Sequence, residues 1–338
     1  MSKKIIKQHK LGFPWITLDP FLFCVHHLDF YPKGNGEMGP DASLQGRNIG
    51  NDFVIKDGWR MYHGDKVPGF PAHPHRGFET VTFVTQGMVD HADSAGGNGR
   101  YGNRDVQWMT AGSGLQHSEM FPLLDDENPN TTELFQIWLN LPKAKKMTSP
   151  SYKMLWNENI PEAVFEDESG RKTTVDIVAG SIGEYKAPEP TPDSWAAEPD
   201  HEVAIWQIHM DASASWQIPA AGKGVNRMLY FFEGDILQVE DETVHPGSAV
   251  ELEASENVEI KNGENKCRCL LLQGKPIRER VVQYGPFVMN SEAEIQAAFQ
   301  DYRDTEFGGW PWPRHDQVFN KNKGRFAQFT DGTEVVKE

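Results

Sequence analysis

Two short segments carry the residues best suited to chemistry: His73-Pro-His-Arg-Gly-Phe-Glu-Thr80 and Gly114-Leu-Gln-His-Ser-Glu119. In an extended strand successive side chains alternate faces, so residues two apart point the same way. His73 and His75 would therefore present two imidazoles to one side, and His117 and Glu119 an imidazole and a carboxylate. Three neutral imidazoles and one carboxylate suit a first-row transition metal, and with coordination positions left open they suit iron best. A single His-x-His is a weak signal. The support comes from the second pair, which follows a Gly-rich turn in the same strand-rich region. Glu79 complicates the ligand set, because in an unbroken strand it would share a face with His73 and His75. Glu79 and Glu119 thus compete for the carboxylate position, and periodicity does not separate them.

The two pairs lie about forty residues apart and can converge only if the intervening chain folds back as antiparallel strands. From Phe70 to Leu141 the pattern supports this. Thr80-Val-Thr-Phe-Val-Thr85 alternates, Gly87 turns into Met88-Val-Asp-His-Ala-Asp93, and Gly96-Gly-Asn-Gly99 marks another turn. Val106-Gln-Trp-Met-Thr110 and Leu134-Phe-Gln-Ile-Trp-Leu-Asn-Leu141 complete the region. Short strands at close spacing with Gly at the turns indicate a sandwich or barrel rather than alternating strands and helices. Ahead of this region, residues 1–13 read as a polar lead-in and residues 33–52 as a long Gly-, Asn- and Pro-rich loop. His26, His27 and His63 are expected to be core or surface histidines.

A second strand-rich region follows the Pro142–Pro161 connection and includes Val203-Ala-Ile-Trp-Gln-Ile-His-Met210 and Arg227-Met-Leu-Tyr-Phe-Phe232. Its order of strand, Gly-Asp turn and strand resembles the first half, consistent with an internal duplication. It has no His-x-His, and His201, His209 and His245 are scattered, so this half is expected to be metal-free. Cys267 and Cys269 read as two small residues in a strand. Near the end, Ser291 followed by Glu294 forms a capping box, and Ile295, Ala298, Phe299 and Tyr302 fall on one helical face. Beyond Gly308 a Trp-Pro-Trp-Pro tail is expected to drape over the surface.

Composition limits the functional classes. The chain has 338 residues, enough for two domains, and a formal charge of −16. That balance disfavours direct contact with nucleic acid, whose phosphates call for clustered Lys and Arg, but permits a protein partner. No run of 18 apolar residues occurs, so no membrane span is expected, and no secretory leader is read at the start. Three cysteines without a disulfide framework fit a reducing compartment, and the cytoplasm is the expected location.

Several stretches together resemble the pirin family: His73–Thr82, Asp105–Met120, Leu134–Leu141, Gly274–Asn290 and Leu18–Phe23. The resemblance spans about residues 18–305. It implies an all-β fold of two tandem cupin (jelly-roll) β-barrels with a short C-terminal helix. The expected divisions are an N-terminal metal-binding barrel at residues 1–142, a C-terminal barrel at 143–284, and the helix and tail at 285–338. Carried over residue by residue, the iron ligands would be His73, His75, His117 and Glu119, which leaves Glu79 a supporting group. The implied activity is an Fe(II)-dependent dioxygenase of the quercetin 2,3-dioxygenase type, acting on a small aromatic, flavonol-like substrate and O2 with Glu119 as the catalytic base. The alternative is a metal- or redox-sensing regulator that binds a protein partner. The chain departs from the family in a longer entry, at about residues 32–69, and in the tail.

Overall fold

The computed structural model describes residues 4–337. The chain divides into two compact units. One comprises His26–Ile137, Leu141–Asn157 and the chain from Glu279 onward; the other comprises the chain up to Val25, Trp138–Asn140 and Glu158–Arg278. Both are built from antiparallel strands, as the alternating apolar runs and Gly turns require.

Wholly or mainly in the first unit we number the strands β1 (Phe21–Tyr31), β2 (Gly69–His75), β3 (Phe78–Gln86), β4 (Met88–Asp93), β5 (Asn98–Gly102), β6 (Val106–Thr110), β7 (Leu115–Met120), β8 (Asn130–Asn140) and β9 (Ser151–Leu155), of which β1 and β8 have one end, up to Val25 and from Trp138, in the other unit. Two more, β10 (Arg325–Gln328) and β11 (Glu334–Lys337), come from the C-terminal tail. One sheet has the order β9-β6-β3-β8-β1 and the other β11-β10-β5-β4-β7-β2. Val84, Val89, Met109, Leu115 and Leu134 are buried in one apolar cluster of this unit. Between β2 and β3 the chain reverses at Gly77, whose φ is +86°. A Cβ there would collide with the Val288 carbonyl, so only glycine fits this corner.

The tail does more than drape over the surface. β10 pairs with β5 in the register Phe326↔Arg100, Ala327↔Gly99 and Gln328↔Asn98. Arg100 supplies the reason. It is fully buried, pairs with Asp90 through Nε–Oδ1 at 2.6 Å, and donates to the carbonyls of Phe319, Asn320 and Lys323. A buried guanidinium must find acceptors for all its donors, and here the tail backbone provides them.

In the second unit a seven-stranded sheet has the order Ile5–Lys10, Ser248–Glu253, Asn226–Glu233, Cys267–Gly274, Ala204–Met210, Lys172–Ala179 and Glu162–Glu166. A four-stranded sheet has the order Ser215–Ile218, Val258–Asn262, Leu237–Val239 and Glu242–Val244. The opening residues are thus an edge strand rather than a lead-in: Ile5 is buried and the strand pairs with Ser248–Glu253. Ile208, Leu229, Phe231, Val250 and Leu271 are all within 1% of complete burial in one apolar cluster. Cys267 and Cys269 belong to the same cluster and are free thiols.

The α-helix read from the capping box is α1, Glu292–Thr305, the α-helix of the described residues. The Ser291 side chain accepts from Glu294 N, and Glu294 Oε2 accepts from Asn290 N at 3.0 Å. Ile295 and Ala298 are its buried residues. No helix of the described residues is long and apolar enough to cross a membrane.

Candidate metal centre

The histidine pairs meet because β2 and β7 are neighbours. Their register sets His73 opposite His117, His75 opposite Leu115 and Phe70 opposite Glu119, with an irregularity between Phe70 and His73. On the other side of β7, β4 sets His91 opposite Glu119 and Asp93 opposite His117. Paired residues of antiparallel strands project to the same face. The inward face of three adjacent strands therefore carries His73, His117, Glu119, His91 and Asp93.

The potential ligand atoms of His73, His75 and His117 all lie within 4.8 Å of one another. This is the one His, Cys, Asp or Glu cluster of metal-binding spacing found among the described residues. His73–His117 ring centroids are 4.5 Å apart, and both other pairs are 4.9 Å apart. His73 Nδ1 lies 2.9 Å from the Pro71 carbonyl. Donation from that nitrogen fixes the tautomer and leaves the Nε2 lone pair for a ligand, as outer partners of metal-bound histidines do. His75 has a hydrogen bond to the Pro286 backbone.

His117 is the most telling of the three. It is fully buried, and neither ring nitrogen has a hydrogen-bond partner among the described residues. Each buried polar group left in that state costs about 1–3 kcal/mol. Burial pushes His73 down to about 4, and His75 and His117 well below the ordinary imidazole value. All three are thus neutral near pH 7, the form that binds a metal.

Glu119 lies beside this triad. Its Oε2 is 3.6 Å from His117 Nε2. Two residues of the opposite sheet hold the carboxylate: Thr82 Oγ1 (β3) is 2.8 Å from Oε1, and Gln136 Nε2 (β8) donates to Oε2 at 2.8 Å. Burial raises its pKa above the usual carboxylate range, against the Thr82 hydrogen bond, the nearby His91 and the Gln136 hydrogen bond. The competing carboxylate, Glu79, is fully buried and accepts from Trp108 Nε1 and Thr110 Oγ1 on β6. It is not a member of the three-histidine cluster.

His73 is the half-buried member of the triad and forms one wall of a cavity of about 440 Å3, together with His63, Phe70, Pro71 and Ala72. The long entry contributes to this mouth. Phe53 packs edge-on against His63, 5.0 Å between centroids, and lies 6.3 Å from Phe70. His26 hydrogen-bonds Glu133, and His27 hydrogen-bonds the Tyr62 hydroxyl at 2.8 Å.

Two features of the centre escaped the sequence reading. His91 and Asp93 sit at the same two-residue spacing as the other pairs, both buried, with His91 Nε2 3.1 Å from Asp93 Oδ2. The spacing in Met88–Asp93 could have flagged them. Thr82 and Gln136 had no signal, since they reach Glu119 only across the barrel.

A pirin-like protein of Solanum lycopersicum is 39% identical over 278 residues, 78% of this chain and 86% of its own. Pirin of Mus musculus is 34% identical, over 73% of this chain and 80% of its own. Residues 40–139 match the family model described as Pirin, and residues 205–308 match the Pirin C-terminal cupin domain. The chain belongs to the pirin family. A crystal structure of quercetin 2,3-dioxygenase from Acinetobacter baumannii superposes with a TM-score of 0.71 at 26% identity, covering 90% of this chain and 98% of that one. The histidine cluster lies within the residues matched by the Pirin model.

Proposed function

We propose that this chain is an iron-dependent dioxygenase that opens the ring of a flavonol such as quercetin with O2. The observation that carries this reading is the buried His117 imidazole, without a hydrogen-bond partner among the described residues, clustered with His73 and His75, next to Glu119 and open through His73 to an aromatic-walled cavity. The donor set fits a divalent metal, with His73, His75, His117 and Glu119 as its ligands. Bound there, Fe(II) would supply Lewis acidity and a site for O2. The similarity to the Acinetobacter dioxygenase supports the same chemistry.

The chain's own residues supply the rest. Phe70 and Phe53 offer aromatic faces at the mouth against which a flat polycyclic substrate can stack. The raised pKa of Glu119 suits a group that takes up the proton of the flavonol 3-hydroxyl, because a base is most effective when its pKa approaches the working pH. Thr82 and Gln136 fix the orientation of that carboxylate. The test is Glu119→Gln: turnover should fall far more than metal content does. Full ring-cleaving rate with full iron in this variant would sink the proposal.

A second reading, a redox-sensing regulator, is favoured by one observation. Val54 and Ile55, beside Phe53 in the long entry, are 77% and 60% exposed, an apolar surface next to the site that a partner could cover. Capture of a protein partner that depends on the iron oxidation state, with no oxygen uptake on any flavonol, would select it.

A further inference from the structure

The chain leaving α1 touches each of the three strands that carry the metal centre. Gln116 Nε2 on β7 donates to the Glu306 carbonyl at 2.7 Å, and Trp312 Nε1 donates to the Asp93 carbonyl on β4 at 2.8 Å. Ala72 N on β2 donates to the His315 carbonyl, also at 2.8 Å. The segment that makes the last two contacts is stiff. Pro311 and Pro313 have fixed φ, Trp310 Nε1 donates to the Arg314 carbonyl at 2.7 Å, and Arg314 pairs with Asp316 at 2.6 Å. Beyond it the buried Arg100 and Asp90 hold the backbone of Phe319.

The contact with β2 falls on an irregular point of that strand. Three residue steps from Phe70 to His73 are set against two from Glu119 to His117, so β2 carries one extra residue there. Such a bulge leaves backbone groups out of the ladder and re-aims side chains. β2 is also the last strand of its sheet, so no further strand takes those groups up. The Pro71 carbonyl and the Ala72 N–H belong to one planar trans peptide and point in opposite directions. Outward, the N–H meets the His315 carbonyl; inward, the Pro71 carbonyl meets His73 Nδ1 at 2.9 Å.

We propose that residues 310–316 are a positioning strap for the metal centre. By holding the Ala72 N–H from outside, the His315 carbonyl aims the other end of the same peptide at His73 Nδ1. That keeps His73 in the tautomer whose Nε2 lone pair is free for a metal, the task that outer partners of metal-bound histidines perform. Trp312 fixes the strap to β4 and so sets the position of His315. The proposal rests on the reading of His73 as a ligand and not on the reaction that the centre performs.

Trp312→Ala tests this, because it loosens the strap without altering β2 or any proposed ligand, and the Asp93 carbonyl keeps its bond from Gly96 N. In the full chain stripped of metal, hydrogen exchange at the Ala72 amide should quicken about tenfold. Nitrogen-15 shifts of the histidine rings should show His73 passing from one tautomer to a mixture. Co(II) affinity, followed by visible absorption, should fall about tenfold. Leu271→Ala, which weakens the other barrel, should change none of the three. Should Trp312→Ala fail to fold, Trp312→Phe, which keeps an aromatic ring and loses the indole N–H, is read in the same way. Native exchange at Ala72, a single His73 tautomer or native Co(II) affinity in the folded variant would overturn the proposal, as would the same three changes in Leu271→Ala. A native chain that binds no Co(II) would refute the ligand reading of His73, and the two metal-free readouts would still decide the strap.

Discussion

The two barrels use the same antiparallel construction and fill it differently. The second packs its interior with Ile208, Leu229, Phe231, Val250 and Leu271. The first gives the inward face of β2, β7 and β4 to His73, His117, Glu119, His91 and Asp93, and spends residues of the opposite sheet, Thr82 and Gln136, on holding one carboxylate. One interior is filled by apolar side chains. The other buries the His117 imidazole, whose two nitrogens have no hydrogen-bond partner among the described residues. A barrel that gives up apolar packing for preorganised polar groups is expected to serve chemistry, whereas its packed counterpart serves stability.

The sharpest way to break this contrast is to remove the central ligand. His117→Ala should reduce bound metal from about one per chain to near zero and abolish oxygen uptake, as metal analysis would show, while the chain stays folded. In the packed barrel the opposite pattern is expected. Leu271→Ala should destabilise by about 2–5 kcal/mol in denaturant unfolding and leave the metal content unchanged. A metal loss comparable to that of His117→Ala would erase the distinction between the two interiors.

A smaller effect probes the support of Glu119. Thr82→Val keeps the shape of the side chain but leaves Glu119 Oε1 without its 2.8 Å partner. Metal affinity or kcat should fall about 10–100-fold, with stability changed by only about 1–3 kcal/mol. Unchanged kinetics would mean that the tether positions nothing.

Legibility in the sequence divided along physical lines. His73, His75, His117 and Glu119 stood out because strand periodicity is local and needs no partner. The capping box at Ser291 and Glu294 was legible for the same reason. Thr82 and Gln136 were not, because sequence spacing does not encode which residues meet across a barrel. The edge strand at Ile5–Lys10 and the tail strands β10 and β11 were missed alike. Their short segments have too few apolar residues to show alternation, and what fixes them is distant: Ser248–Glu253 for the first, β5 and the buried Arg100 for the others. Spacing alone left Glu79 and Glu119 level as carboxylate candidates; the sheet register sets Glu79 opposite Thr110 and Glu119 opposite His91.

A further expected difference is confined to acid. Burial holds His27 neutral down to about 3, whereas a free imidazole takes up its proton near 6.5. Between those values the unfolded chain binds the extra proton, so stability is fully present above about pH 6.5 and falls as the pH drops toward 3, by at most about 1.4 kcal/mol per pH unit for this group. His27→Gln should flatten that acid limb in urea unfolding followed across pH. An unchanged limb would remove His27 from the acid response of the first barrel.

The proposed role of the first barrel is that of an iron site built for oxygen chemistry. Anaerobic reconstitution with Fe(II), followed by oxygen uptake on a small flavonol panel, tests it most directly, with His75→Ala as the control. The expected result is about one iron per chain and flavonol-dependent uptake that the control lacks. Full iron loading without uptake on any flavonol would contradict it.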